Sequence, residues 1–371
     1  MKRLTTHMET VLPGRNYGLD VMRACAAFMV VITHSAHLFE QWIPKVHRIA
    51  FFTLNALELF FTLSGFLIGR ILIRQFKERN DMTISNMMSF WKRRWIRTIP
   101  VYWLAILINL PIAIWVTKII SPSIPWKHFV FIQGLSQGNY WFFPVSYSLA
   151  IEEWFYLLIP LGFFVLFPMF QKGKNLLSLT VVCLIPIVLL IVSRSFAYEE
   201  YAYSWDSMWR KATIARMDAC AYGVLFAIGF HLWKDWFVKR KYTLLIAGFL
   251  VYLSSQLIKY RFPDSYFTFV LYFTFIPSSF ALMIPYFFDL KVPDRKSILV
   301  GVTAISVASY AVYLFHLSPL NDFAAMFKGN VSFIGMCGIF TVYMIATALI
   351  SWWWYRYVET PIVQLRETKK K

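Results

Sequence analysis

Read from its first residue, the chain is a succession of apolar runs about 20 residues long, separated by short polar stretches that carry most of the charge. A hydrocarbon core about 30 Å thick is crossed by about 20 helical residues rising 1.5 Å each, so runs of this length predict membrane-spanning helices. Ten are expected, at 19–37, 50–71, 98–118, 149–170, 176–193, 214–233, 242–259, 267–288, 299–318 and 331–354. The expected fold class is all-α, a polytopic transmembrane helical bundle of about ten spans. No internal repeat is visible, and low complexity is confined to Lys369–Lys371. The expected organisation is an N-terminal segment 1–17, a transmembrane domain 18–358 and a C-terminal tail 359–371. Lys2 and Arg3 precede the first run without a small-residue cleavage site after it, so that run reads as a retained helix, not a removed signal peptide. With no soluble domain expected at either end, handling of any partner outside the membrane would fall to the loops or to another protein.

Composition agrees with the pattern. Of 371 residues, 58% are hydrophobic and 15% charged, and the mean hydropathy is +0.55. Soluble domains average about 45–50% apolar and about 25% charged, so disorder, a collagen-like chain and a soluble enzyme are all poor fits. The cysteines Cys25, Cys183, Cys220 and Cys337 are scattered without CxxC or metal-ligand spacing, so neither a disulfide nor a metal site is expected. A balance of 37 basic against 19 acidic residues would suggest nucleic acid in a soluble chain. Here 25 of the basic residues fall on loops of the N-terminal side and 10 on the opposite loops. That bias puts both termini in the cytoplasm and makes most of the excess charge a matter of orientation, with no nucleic-acid partner. The longest outer stretches, 119–148 and 194–213, are rich in Trp, Tyr and Phe and read as interfacial belts, with sugar-binding platforms as the competing reading.

Ionisable residues inside spans are costly, so each is a candidate for function. Arg23 and His34 share the first span, 11 residues apart. That is three turns, about 16 Å of rise, on one face. A snorkelling arginine and a packed histidine form the plain alternative. Ser148, Glu152 and Tyr156 stand at i, i+4 and i+8 at the start of the fourth span, with Glu153 beside them. One acid at a helix N-terminus is explained by the helix dipole; two followed by an apolar run suggest a buried partner. By topology Glu58, Arg216, Asp218 and His316, the last following Tyr310, lie with them in the outer half of the bilayer. Toward the inside, Arg94 and Arg97 share a helix face at i, i+3, a spacing that suits a phosphate clamp.

These residues, taken in order, resemble the acyltransferase family 3 membrane enzymes over about 17–366. Leu19-Asp20-Val21-Met22-Arg23 through His34 is similar to the family's opening, an arginine, ten residues and a histidine. Phe60 to Ile68 is similar to its second-helix signature, and Arg94-Trp95-Ile96-Arg97-Thr98-Ile99-Pro100 to its R-x-x-R motif. Ser148 to Tyr156 resembles the W-S-L-S-x-E-E-x-F-Y block, with Tyr147 in place of Trp and Ala150 in place of the second Ser. Arg216-Met217-Asp218-Ala219 through Gly223, Ser309-Tyr310 through His316, and Glu359-Thr360-Pro361, with Thr where Arg is commoner, complete the series.

The resemblance implies an acyl-CoA-dependent O-acyltransferase of the bacterial inner membrane. It would carry an acyl group, acetyl foremost, from cytoplasmic acyl-CoA to a hydroxyl of an extracytoplasmic glycan or lipid-linked sugar, without a metal. It implies donor contacts at Arg23, Arg94 and Arg97, with Ser64 and Gly65 letting backbone approach the pantetheine arm. Catalysis is expected at His34 with Glu152 or Glu153, and Glu58, Ser148, Tyr156, Arg216, Asp218, Tyr310 and His316 are expected on the acceptor side or in support. His34 would act either as general base or as the acyl carrier itself. A proton-coupled transporter or flippase with the same buried His and Glu is the alternative; its usual mark, paired Gly/Pro-broken helices in two related halves, is not seen.

Overall fold

The computed structural model describes residues 14–46, 55–79, 83–117, 126–135, 142–166, 175–201, 209–317 and 320–368. Within them the chain is helical throughout, as the apolar runs predict, and contains no strand. The main helices are α1 (Tyr17–Ser35), α2 (Ala56–Arg79), α3 (Ile84–Thr117), α4 (Ser146–Leu166), α5 (Asn175–Tyr201) and α6 (Ala221–Leu232). They continue with α7 (Lys241–Arg261), α8 (Tyr272–Phe288), α9 (Lys296–Phe315), α10 (Leu320–Ala325), α11 (Phe333–Trp354) and α12 (Thr360–Thr368). Among the described residues nine helical stretches are long and apolar enough to cross a membrane, which makes this a multi-pass membrane protein. The expected ends of the first and last segments, 1–13 and 369–371, lie outside the described residues. Residues 360–368, expected in the tail, continue the last helix.

Local chemistry sets several helix starts. The Asn16 side chain accepts from the Leu19 N–H at 3.0 Å and caps α1, and Ser332 does the same for α11 through Gly335 at 3.2 Å. Prolines stand inside α3 (Pro100, Pro111), α4 (Pro160), α5 (Pro186) and α8 (Pro277, Pro285), positions that spanning helices tolerate when neighbours satisfy the freed carbonyls. At Pro277 the neighbour is Thr62, whose hydroxyl donates to the carbonyl at 3.4 Å.

Chain contacts divide the described residues into two units. The first comprises residues 1–57, 95–125 and 290–371, and so holds α1, most of α3 and α9 to α12. In it α1 buries Leu19, Met22, Ala26, Ala27, Val30 and Val31. It packs on α9, which buries Val307, Ala308, Ala311 and Val312; the small residues allow close helix approach. The second comprises 58–94 and 126–289, with α2, the start of α3 and α4 to α8. There α2 lies against α6 so closely that a Cβ on Gly65 would strike the Cys220 carbonyl, and one on Gly223 the backbone at Thr62 and Phe66. The flanks exposed on α5 (Leu184, Val188, Leu189, Val192) and α11 (Val342, Ile345, Leu349) are apolar, as lipid-facing surfaces are.

The sixth expected span, 214–233, is built differently from the other nine. It begins with a tight turn at Ile214–Arg216, and only Ala221–Leu232 is regular helix, about 18 Å long. The pairing of α1 with α9 shows what it does. Asp20 and His34 of α1 meet Ser306 and His316 of the α9 segment in the same order, so the two helices run parallel. Among the described residues six long apolar helices separate them in the chain, and parallel direction requires an odd number of crossings between. The segment around α6, the remaining expected span, is where that further crossing is expected.

Candidate functional site

In the first unit the polar side chains gather at the two ends of α1. At its start Asp20 is buried and takes a two-pronged interaction from Arg15, one prong 2.9 Å long. Ser306 of α9 donates to the same carboxylate at 2.7 Å and accepts from Arg15 at 3.2 Å. Arg23, one turn on, stands 3.6 Å from Asp20 and is partly exposed. Two guanidiniums thus reach one carboxylate. Arg97 of α3 is the electrostatic partner of buried Glu359, and Tyr310 of α9 donates to the Thr98 carbonyl at 3.3 Å.

At the other end of α1, His34 Nδ1 lies 2.8 Å from His316 Nε2, with ring centroids 4.9 Å apart and planes 34° from parallel. His316 is fully buried at the end of α9, and its Nδ1 faces the carbonyls of Val312 at 3.1 Å and Tyr313 at 2.9 Å. Both backbones are held from outside the pair. The Asn321 amide donates to the His34 carbonyl at 3.0 Å, and the Tyr343 hydroxyl to the His316 carbonyl at 3.0 Å. Asn321 is itself buried, and its Oδ1 has no hydrogen-bond partner among the described residues.

The second unit holds two further clusters. Arg216 meets Glu58 through two bonds of 2.8 and 2.7 Å, and Arg194 meets Asp218 through two of 2.9 and 3.1 Å. Arg194 also donates to the Ala215 carbonyl at 2.6 Å, and Arg216 Nε lies 3.8 Å from Asp218. Both guanidiniums lie against the Phe273 ring, at 4.6 and 4.2 Å, and all four charged side chains are buried. In the other cluster the Tyr156 hydroxyl donates to Glu152 Oε2 at 3.0 Å and bonds Ser64 at 2.5 Å. Arg94 covers the Tyr156 ring at 5.3 Å, and Trp91 donates to the Tyr156 carbonyl at 2.9 Å. Ser148 donates to the Val145 carbonyl at 3.2 Å, and Glu153 is buried.

Residues 16–356 match the family of the Acyltransferase domain, acyltransferase family 3. The chain belongs to this family. Among curated proteins it is similar to the O-acetyltransferase OatA of Staphylococcus aureus strains NCTC 8325, COL and MRSA252. Each is 26% identical over 375 residues, covering 93% of this chain and 57% of the relative. The chain thus spans somewhat more than half the length of the curated relatives it matches. No solved structure matches it.

Set beside the sequence expectations, the candidate residues are distributed over both units. Arg23, Arg97, His34, Tyr310 and His316 fall in the first; Glu58, Ser64, Gly65, Arg94, Ser148, Glu152, Glu153, Tyr156, Arg216 and Asp218 fall in the second. The i, i+4 pairing of Glu152 with Tyr156 holds as a hydrogen bond, and Ser64 joins it. The close approach at Gly65 is made by the Cys220 backbone. Among the described residues no group of three or more His, Cys, Asp or Glu could hold a metal ion. Four participants escaped the sequence reading. Arg194 was placed in an outer loop because its apolar run stops at 193, yet α5 continues to Tyr201. Arg15, Ser306 and Asn321 carry no local signal, since their partners lie hundreds of residues away in the chain, or on a capped helix start.

Proposed function

We propose that this acyltransferase is a membrane O-acyltransferase that moves an acyl group from cytoplasmic acyl-CoA to a hydroxyl of an extracytoplasmic glycan or lipid-linked sugar. Acetyl is the group proposed, and the bacterial inner membrane the location. The family and its O-acetyltransferase relatives support the reaction class. The observation that carries the reading lies on α1, which bears an arginine–carboxylate cluster at one end and the His34–His316 pair three turns further on. Arg15, Arg23 and Arg97 suit the phosphates of the donor, and a pantetheine arm is long enough to bring its thioester the roughly 16 Å to His34.

His34 is the general base in this proposal. Its imidazole takes the proton from the acceptor hydroxyl as the oxygen attacks the thioester carbonyl. The C–S bond then breaks, and the imidazolium returns the proton to the departing thiolate, giving the ester and free thiol. Asn321 fixes the backbone of His34 through the carbonyl bond. Glu152 and Glu153 remain catalytic candidates for the same assay.

The test is purified protein in proteoliposomes supplied with acetyl-CoA labelled in the acetyl carbon and a surface glycan as acceptor. Label should appear in the glycan, and His34→Ala should stop it. Protein that neither binds nor consumes acyl-CoA would remove the proposal and leave a transporter or flippase as the reading. Intact mass after acetyl-CoA alone separates the base role from the carrier role: an acetyl adduct on His34 would establish the latter.

A further inference from the structure

We infer that His316 is a positioning residue that sets the tautomer of His34, so that Nε2 of His34 is its proton-accepting nitrogen. The catalytic consequence rests on the function proposed above; the tautomer itself does not.

The argument follows donors and acceptors around the pair. The Val312 and Tyr313 carbonyls are acceptors only, and both face His316 Nδ1 at 3.1 and 2.9 Å. That nitrogen must therefore carry the hydrogen, since a bare lone pair would oppose two carbonyl lone pairs. His316 is fully buried, and its hydrogen-bond partners are these two carbonyls and His34. None is a carboxylate, so a doubly protonated His316 would be a buried cation without a counter-ion among its hydrogen-bond partners, which is strongly unfavourable. Neutral His316 with hydrogen on Nδ1 has its lone pair on Nε2. The nitrogen 2.8 Å away, His34 Nδ1, must then be the donor. Neutral His34 so oriented carries its lone pair on Nε2, at the opposite position of the ring.

The arrangement is relayed from the backbone: two carbonyls of one helical turn orient His316, and His316 orients His34. It plays the part an acidic residue plays in a Ser-His-Asp triad, holding the imidazole in one tautomer. It does so without adding a charge to the membrane interior. When His34 takes up a proton on Nε2, the Nδ1–H bond to His316 survives, so the base is held in place throughout proton transfer. The Tyr343 hydroxyl on the His316 carbonyl and the Asn321 amide on the His34 carbonyl fix the two backbones that the relay needs.

The experiment is ¹⁵N NMR on the full chain in nanodiscs, labelled at histidine, with the His34 signals assigned by their loss in His34→Asn. In the wild type at a pH where His34 is neutral, Nδ1 should be the protonated nitrogen and Nε2 the bare one. His316→Gln keeps an acceptor near the position of Nε2 and should preserve that pattern. His316→Leu removes the acceptor and should shift His34 toward hydrogen on Nε2. In the acyl-transfer assay His316→Leu should lower kcat by about 10²-fold or more with KM for acyl-CoA unchanged, and His316→Gln should recover most of the loss. Hydrogen on Nε2 in the wild type would overturn the inference, as would an unchanged His34 tautomer in His316→Leu. Should His316→Leu not fold, wild type and His316→Gln still decide it, because both must show the Nδ1–H form. A wild type with the expected tautomer and no acyl transfer would count against the proposed function and leave this inference standing.

Discussion

The two units treat buried polarity in opposite ways. In the second, two arginines and two acids cancel, and every oxygen of Glu58 and Asp218 that could accept is bonded to a guanidinium. The cluster is expensive to dehydrate, its four carboxylate oxygens are all paired while Nε of Arg194 and of Arg216 has no hydrogen-bond partner among the described residues, and it joins α2 and α5 to the irregular chain before α6. In the first unit the polar groups stand at the two ends of one helix. Arg15 and Arg23 both reach Asp20, Asn321 Oδ1 has no hydrogen-bond partner among the described residues, and half-buried His34 meets His316 through Nδ1. The difference teaches that burial of charge alone does not mark chemistry. What distinguishes the first unit is the pairing, on one helix and three turns apart, of an arginine–carboxylate cluster with two imidazoles in contact.

The contrast predicts that damage to the α1 histidine pair is catalytic and damage to the arginine–acid cluster of the second unit structural. His34→Ala should reduce acyl transfer by about 10²–10⁴-fold while leaving the thermal midpoint of the detergent-purified protein in place, measured by turnover and melting side by side. Asp218→Ala strands Arg194 and should lose about 3–5 kcal/mol, seen as a collapse in monodisperse yield. Replacing Glu58 and Arg216 together by Met should recover much of what Arg216→Met alone loses; if the double variant is no better, the pair is not the coupled unit described above. Arg15→Gln or Arg23→Gln should raise KM for acyl-CoA about tenfold or more with kcat little changed, since a bond to a charged group contributes about 1.5–3 kcal/mol. An unchanged KM would move the donor site elsewhere. The smallest effect is expected at Tyr156→Phe, which forfeits the bonds to Ser64 and Glu152 at about 0.5–1.5 kcal/mol each. A drop in kcat beyond that loss of stability would bring Glu152 from the structural side of the comparison to the catalytic side.

Much of the architecture could be read from the chain because a spanning helix leaves a local trace: 20 apolar residues in a row. The expected 267–288 coincides with an observed apolar helical stretch. The same window treated 214–233 as one more uniform span, because mean hydropathy does not register that Arg216 and Asp218 need a broken backbone to reach Glu58 and Arg194. Site residues followed the same logic. The Glu152–Tyr156 bond was legible as a four-residue spacing on one helix. His34 and His316 were each nominated for being costly, yet nothing local joins positions 282 apart. Arg15 and Ser306 were invisible for the same reason, since the need for them arises only when Asp20 is buried against α9.

The parallel pairing of α1 with α9 also sets a schedule. The first helix leaves the ribosome long before its partner, and at about 5–20 residues per second some tens of seconds separate His34 from His316. During that interval α1 must wait in the bilayer with Asp20 lacking Ser306 and His34 lacking His316. The imidazole pair closes only once nine-tenths of the crossings are in place, so reactivity is withheld from an unfinished chain. Assembly order here is itself a safeguard against premature chemistry.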